Sequence, residues 1–195
     1  MERNDAMARP TGSATRLTYD DLVAMFPEGD RLRHELIAGE HFVTPSPTNR
    51  HQELSMRLTL SIGVHLEGHS EQGKLYAAPF DVVMTPYDVV EPDLLVVLGD
   101  QLHILTEANV KGAPGLVVEI LSPGTRKRDQ TLKRQLFDRE GVREYWMVDP
   151  DRNQVIVLRR AADGSFPLAA TLDANETLTT PLLPGWGLAL GQLFR

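Results

Sequence analysis

The chain has 195 residues, a formal net charge of −7 and no cysteine. This length suits one well-buried domain, and the missing cysteine excludes disulfides, thiolate-bound zinc and a cysteine nucleophile. The acidic balance argues against indiscriminate attachment to nucleic acid, which needs a basic surface.

The organisation predicted from composition is a polar, flexible arm over residues 1–16 and a single domain over 17–195. No stretch is long and apolar enough to cross a bilayer, so no membrane partner is expected. A chain without cysteine fits a reducing cytoplasm, and we predict a cytoplasmic location.

The first half of the domain is predicted to form a short helix, a hairpin and a long helix. Residues 18–21 resemble a capping box, which opens a helix that ends before Pro27. The hairpin covers 34–43 and turns near Ala38-Gly39. The long helix starts after Ser46-Pro47-Thr48-Asn49, and an apolar stripe follows at helical spacing: Leu54, Leu58, Ile62 and Leu66.

His51 lies on the same face as this stripe, at the first turn of the long helix, so it is predicted to point inward. A histidine in this place is more often a satisfied core residue than a ligand. Both interpretations stay open at this point.

Four strands and a second helix are predicted in the second half. The strands cover 74–84, 93–98, 116–121 and 144–149. The helix runs from about Thr125 to Glu140, where Gly141 closes it. A hairpin-like pair over 154–160 and 166–172 precedes an apolar stretch around Trp186.

Two acidic residues lie in strands that should be buried. Glu119 stands inside Leu116–Leu121, and Asp93 opens the run Asp93–Leu98. Consecutive Val, Ile and Leu leave neither face for water, and a buried carboxylate is tolerated in its ionised form only beside a cation or a metal. The two acids therefore indicate a site. The alternative is that Asp93 ends a turn and Glu119 pairs with an arginine.

The second helix directs an acid and a base toward the core. Steps of 100° per residue place three apolar side chains in one arc: Leu132, Leu136 and Phe137. Asp129 and Lys133 fall inside that arc, so Lys133 should reach toward the strand that carries Glu119. The alternative is a buried ion pair of Asp129 with Lys133 alone.

Basic residues concentrate between Gly124 and Arg143, where seven bases face three acids. Such a strip suits a localised polyanion, although a solvated helix face is an equally ordinary explanation.

The chain resembles the PD-(D/E)XK nuclease superfamily in the order of its predicted elements: helix, three strands, helix, strand. The resemblance includes the acids in the second and third strands and the lysine after them. Within this superfamily, the chain is most similar to the restriction endonuclease family often called the Uma type. The resemblance rests on residues 35–40, 118–123 and 141–150, on His51, on Pro92-Asp93, and on the Asp129/Lys133 pair. It implies an α/β fold of the α+β mixed-sheet kind: a restriction-endonuclease-like core with an N-terminal hairpin and extra C-terminal strands.

The resemblance also implies a metal-dependent endonuclease that hydrolyses phosphodiester bonds of DNA. Asp93, Glu119 and the backbone carbonyl of Ile120 would hold Mg²⁺ or Mn²⁺, which prefer oxygen ligands. The superfamily pattern expects a lysine two residues after the acid of the third strand, where this chain has Leu121. The resemblance therefore implies that Lys133 supplies the ammonium group.

Further roles follow from the same likeness. Glu35 would add a metal ligand or a base, and His51 and Asp129 would have supporting roles. Phe137 stands where relatives tend to carry tyrosine. Candidate phosphate contacts are Arg126, Lys127, Arg128 and Arg134. Because duplex cleavage commonly needs two active sites, we expect a homodimer.

Two other functions stay open. One is a nuclease fold that has lost turnover and binds nucleic acid or protein, because fold does not fix function. The other is a metal-free hydrolase that acts on sugars and uses Asp93 and Glu119 as general acid and base.

Overall fold

The fold is seen in a computed structural model that describes residues 16–26 and 32–195. The arm predicted over residues 1–16 lies outside these residues, apart from Arg16. The helices are α1 (Tyr19–Met25), α2 (Asn49–Gly68), α3 (Arg126–Arg128), α4 (Arg134–Glu140) and α5 (Leu190–Phe194), with a π-helical turn (Asp129–Lys133) joining α3 to α4. Two short 3₁₀ helices cover Ser70–Gln72 and Gly99–Ile104.

The strands form two larger sheets and one small one. A five-stranded sheet has the order β2 (Glu40–Thr44), β1 (Arg33–Ile37), β5 (Asp88–Val90), β4 (Val82–Thr85) and β7 (Val110–Lys111). A six-stranded sheet has the order β11 (Leu168–Asp173), β10 (Gln154–Arg159), β9 (Glu144–Asp149), β8 (Leu116–Ile120), β6 (Leu94–Leu98) and β3 (Gly73–Ala77). The third sheet pairs β12 (Thr177–Thr179) with β13 (Gly187–Ala189).

The six-stranded sheet is mixed, because β8 and β9 are parallel while its other neighbouring strands are antiparallel. The predicted fold class, α/β with a mixed sheet, is therefore confirmed. None of the helices in the described part of the chain is long and apolar enough to span a membrane.

Both faces of this sheet are covered. Alternate residues of a strand point to opposite faces, and Leu94, Val96 and Leu98 pack with α2 and the C-terminal elements. Leu95 and Val97 pack on the other face with residues of α4 and the five-stranded sheet. Central strands buried on both sides explain the unbroken apolar runs in the sequence.

Several sequence predictions hold in detail. The capping box at Thr18 is formed, since its side chain and that of Asp21 each accept from the other's backbone N–H. The hairpin turns at Ala38-Gly39, which both have positive φ. In α2 the predicted stripe and His51 are buried.

The strand predicted over 74–84 is wrong. This segment forms two strands, β3 and β4, which belong to different sheets. Pro79 lies between them, and a proline has no N–H for a strand ladder. Strand β5 was also missed, because it follows directly on the turn predicted over 85–88 and is three residues long.

Leu132 was expected in the core, yet its side chain is 38% exposed. It lies in the π-helical turn, which closes over five residues and so winds less per residue than an α-helix. This turn rotates Leu132 to the solvent side and keeps Asp129 and Lys133 buried.

Candidate active site

Glu119 faces the helix that carries Lys133 because of strand alternation in β8. Val118 and Ile120 pack on the α2 side of the sheet. Val117 and Leu121 point to the opposite side, where α4 packs, and Glu119 shares their direction. This face of the sheet is therefore where a buried carboxylate can meet a lysine from the helical segment.

Lys133 lies between two carboxylates. Its Nζ is 2.6 Å from Oε1 of Glu119 and 2.7 Å from Oε1 of Glu35, and 3.8 Å from Oδ1 of Asp129. All four side chains are at most 5% exposed. The structure thus brings together the helix, the third predicted strand and the N-terminal hairpin. It excludes a simple Asp129–Lys133 pair as the reason for the inward lysine.

Asp93 is held by three donors just before β6. Oδ1 is 2.7 Å from Nη1 of Arg33. Oδ2 is 2.9 Å from Nε2 of His51 and accepts the backbone N–H of Ile120 at 2.8 Å. The last bond fixes Asp93 beside the strand of Glu119. His51 is therefore hydrogen-bonded inside the protein, and its partner is one of the two acids that the sequence singled out.

These groups line one cavity of about 170 Å³. Its wall also contains Arg128, whose guanidinium donates to Thr44 Oγ1 at 2.7 Å and lies 3.2 Å from Oε2 of Glu35. Three buried polar atoms of the wall have no hydrogen-bond partner among the described residues: His51 Nδ1, Arg128 Nε and Asp129 Oδ1. These atoms leave capacity for a bound ligand.

Burial and neighbouring charge shift the pKa values of this cluster. Burial raises the pKa of Glu119 well above its ordinary range, although the Lys133 ammonium opposes it. Burial likewise raises the pKa of Asp129. For Lys133, burial lowers the pKa, but Glu119, Glu35 and Asp129 outweigh it, so the net shift is upward and the ammonium stays charged.

Asp93 behaves differently from the other acids. Burial alone would raise its pKa, but the hydrogen bond and charge of His51 and the charge of Arg33 hold the pKa of Asp93 below its ordinary value. Asp93 is therefore an ionised carboxylate. An ionised Asp93 can act as a general base or offer its oxygens to a cation, but it is not suited to donate a proton.

Two charged residues of the cavity wall were not predicted from the sequence: Arg33 and Glu91. Arg33 stands two positions before Glu35, and Glu91 stands two positions before Asp93. Because residues two apart in a strand share a face, the position of Arg33 in β1 beside Glu35 was a signal that could have found it. Burial, followed by the charges of Asp81 and Glu35, raises the pKa of Glu91 to about 7.

Most bases of the strip between Gly124 and Arg143 are paired with acids of the protein itself. Five of its seven bases make ion pairs inside the protein: Arg126, Arg128, Lys133, Arg139 and Arg143. Lys127 and Arg134 have exposed side chains. Of the four predicted phosphate contacts, Arg128 is therefore the one that lines the cavity.

Arg126 is expected to stabilise the fold rather than to contact phosphate. Its two Nη atoms lie 2.5 and 3.0 Å from the carboxylate oxygens of Asp149, which is fully buried. Arg126→Gln should lower the free energy of unfolding by about 2–3 kcal/mol, because a buried carboxylate loses its bidentate partner. Urea titration measures this effect, and exposed Lys127→Gln is the matched control. An unchanged stability together with weaker DNA binding would restore Arg126 as a phosphate contact.

The fold is shared with a solved structure. A crystal structure of a "putative nuclease belonging to DUF820" from Anabaena variabilis ATCC 29413 matches with a TM-score of 0.73 and 19% identity, covering 91% of this chain and 97% of that chain. A family model described as "putative restriction endonuclease", Uma2, matches residues 18–191. The chain therefore belongs to the Uma2 family, and the predicted resemblance is confirmed. No curated protein matches it.

Proposed function

We propose that the protein is a Mg²⁺- or Mn²⁺-dependent endonuclease that hydrolyses phosphodiester bonds of DNA. The family supports a nuclease function. The observation that carries the proposal is the position of Lys133 Nζ, within hydrogen-bonding distance of Glu119 and Glu35 in a cavity that Asp93 also lines. Buried carboxylates beside a charged lysine in a cleft are the arrangement expected of a hydrolytic site.

The residues present fit a hard divalent cation. Five carboxylates line the cavity, against three side chains with permanent positive charge. The cavity therefore carries an excess of about two negative charges when all five acids are ionised, which one divalent ion would balance. Asp129 Oδ1 is buried without a hydrogen-bond partner among the described residues, so oxygen donor capacity is left over.

The proposed ligands are Asp93, Glu119 and the backbone carbonyl of Ile120. Among the described residues, no three His, Asp or Glu side chains are grouped so as to hold a metal by themselves. The proposed set of two carboxylates and one carbonyl suits Mg²⁺, which usually takes one or two carboxylates and keeps several waters. When bound, such an ion lowers the pKa of its water and neutralises charge on the phosphate.

The chain's own residues have distinct proposed roles. Lys133 orients the attacking water or stabilises the developing charge at the phosphorus. Glu35 fixes the Lys133 ammonium together with Glu119, and His51 orients the Asp93 carboxylate through its hydrogen bond. Arg128 offers a guanidinium to the phosphate, since its Nε has no partner in the described residues.

The proposed assembly is a homodimer, as duplex cleavage requires attack on both strands. Its two cavities would each cut one strand. The exposed bases Lys127 and Arg134 are proposed to contact the DNA backbone, because each adjoins a cavity residue in sequence and exposed cations position phosphates without reading sequence.

A cleavage panel tests the proposal. Supercoiled plasmid and oligonucleotides are incubated with the protein in Mg²⁺, Mn²⁺ or EDTA, with Asp93→Asn as the control. We expect cleavage by the unchanged protein with either metal and none in EDTA or with Asp93→Asn. Cleavage that persists in EDTA would favour a metal-free hydrolase. Mn²⁺ binding without cleavage would favour a binding module.

A further inference from the structure

Arg33 contacts Oδ1 of Asp93, the carboxylate oxygen that the other two donors of the site do not occupy. It is the first residue of β1, and its side chain lines the cavity. Its Nη1 is 2.7 Å from Oδ1 of Asp93, while Oδ2 already accepts from His51 and from the N–H of Ile120. A further ligand of Asp93 would therefore approach through Oδ1, where the guanidinium now lies.

The pairing also separates Asp93 from the other acids. Glu119 and Glu35 share the ammonium of Lys133, whereas Asp93 has the guanidinium of Arg33 as its nearest cation. A divalent ion at Oδ1 and a guanidinium at the same oxygen repel each other, and the repulsion is strong beside a buried carboxylate. The two cations therefore compete for Asp93.

The three donors to Asp93 differ in mobility. His51 is anchored in the first turn of α2, and Ile120 offers a backbone N–H of β8. Arg33 has a long side chain that is 21% exposed, so its head group can move toward water without any shift of the backbone. Of the three donors, Arg33 is the one that can leave.

We propose that Arg33 is a positioning residue that holds Asp93 through Oδ1 in the metal-free protein and is displaced when a divalent cation binds. The proposal rests on the metal-dependent function proposed above. The contact with Arg33 explains how the buried Asp93 carboxylate is kept ionised and in place before a metal binds. It also weakens metal binding, because the guanidinium must first leave Oδ1.

The test is direct Mn²⁺ binding to the full chain without DNA, by calorimetry and by the Mn²⁺ paramagnetic resonance signal. Arg33→Gln removes the competitor, so its Kd for Mn²⁺ should fall by about tenfold or more. Arg128→Gln is the matched control: it removes one positive charge from the same cavity but contacts Glu35 rather than Asp93, and its Kd should fall by about threefold or less. Thermal unfolding should show Arg33→Gln less stable without metal and more strongly stabilised by Mn²⁺.

The Mn²⁺ affinities of the three proteins decide whether Arg33 competes with the metal. An unchanged or weaker Mn²⁺ affinity in folded Arg33→Gln overturns the inference, as does equal tightening in Arg128→Gln, which would indicate a general field effect. Mn²⁺ binding by none of the proteins overturns both this inference and the proposed function, whereas equal binding by all three overturns this inference alone. Where Arg33→Gln does not fold, Arg33→Lys replaces it: the shorter, more strongly hydrated ammonium should hold Oδ1 less well and lower the Kd by about threefold, and no change overturns the inference.

Discussion

Replacing Glu119 with glutamine is expected to abolish metal-dependent cleavage, with a loss of at least about a thousandfold. Glutamine keeps the shape of the side chain but removes the negative charge that a divalent ion needs. The same variant should lose Mn²⁺ binding in calorimetry, which separates a missing ligand from a missing later step. Full retained cleavage would count decisively against the proposed site.

The fold should survive this substitution. Burial raises the pKa of Glu119 in the folded protein, so the folded state binds its proton more tightly than the unfolded chain does. The stability of the unchanged protein therefore falls as pH rises from the unfolded pKa through the folded one. Glu119→Gln has no such proton to lose, and its free energy of unfolding at neutral pH should equal or exceed that of the unchanged protein in urea titrations.

Glu91→Gln is the matched control for Glu119→Gln. Glu91 lines the same cavity and is also buried, but it is not among the proposed ligands. Its replacement should change cleavage by less than about tenfold. Equal losses in the two variants would mean that the cavity responds to total charge and not to a specific carboxylate.

Lys133→Ala is expected to lower cleavage by a factor of about a hundred or more, as for the loss of one stabiliser of transition-state charge. Single-turnover rates with Mn²⁺ measure this loss, and Mn²⁺ binding should persist because the proposed metal ligands remain. An unchanged rate would remove Lys133 from the site.

The same substitution should also destabilise the metal-free protein, by about 3–5 kcal/mol, because Glu35 and Glu119 lose the cation that they share in a buried place. Saturating Mn²⁺ should recover part of this stability. Lys133→Met, which keeps most of the side-chain volume, distinguishes lost charge from a lost packing contact: it should lose cleavage as Lys133→Ala does.

Much of the candidate site could be predicted because its residues break a pattern. An acid within an apolar strand and a lysine on the inward side of a helix are conspicuous in a single sequence, and both are buried as predicted. Glu35 was different, since only the family likeness pointed to it. Its contact with Lys133 joins residues that are far apart in the chain, and no local pattern encodes such a contact.

The errors have equally specific causes. Leu132 was assigned to the core from an α-helical period, and a π-helical turn changed that period. For the basic strip, a polyanion contact and a solvated helix face both stayed open, and most of its bases instead have acidic partners from other elements, such as Asp149 for Arg126. Charge along a sequence does not show which charges will be neutralised in the fold.

The sequence by itself determined the main elements, the burial of Asp93, Glu119 and Lys133, and the family, because hydrophobic periodicity and residue order act locally along the chain. Only the tertiary structure decided which cation meets which carboxylate. Arg33 goes to Asp93, Lys133 is shared by Glu119 and Glu35, and Arg128 reaches Glu35 from the helical segment. These pairings depend on how two sheets and the helical segment pack around one cavity, and charges buried together must be balanced by whichever partners that packing brings within reach.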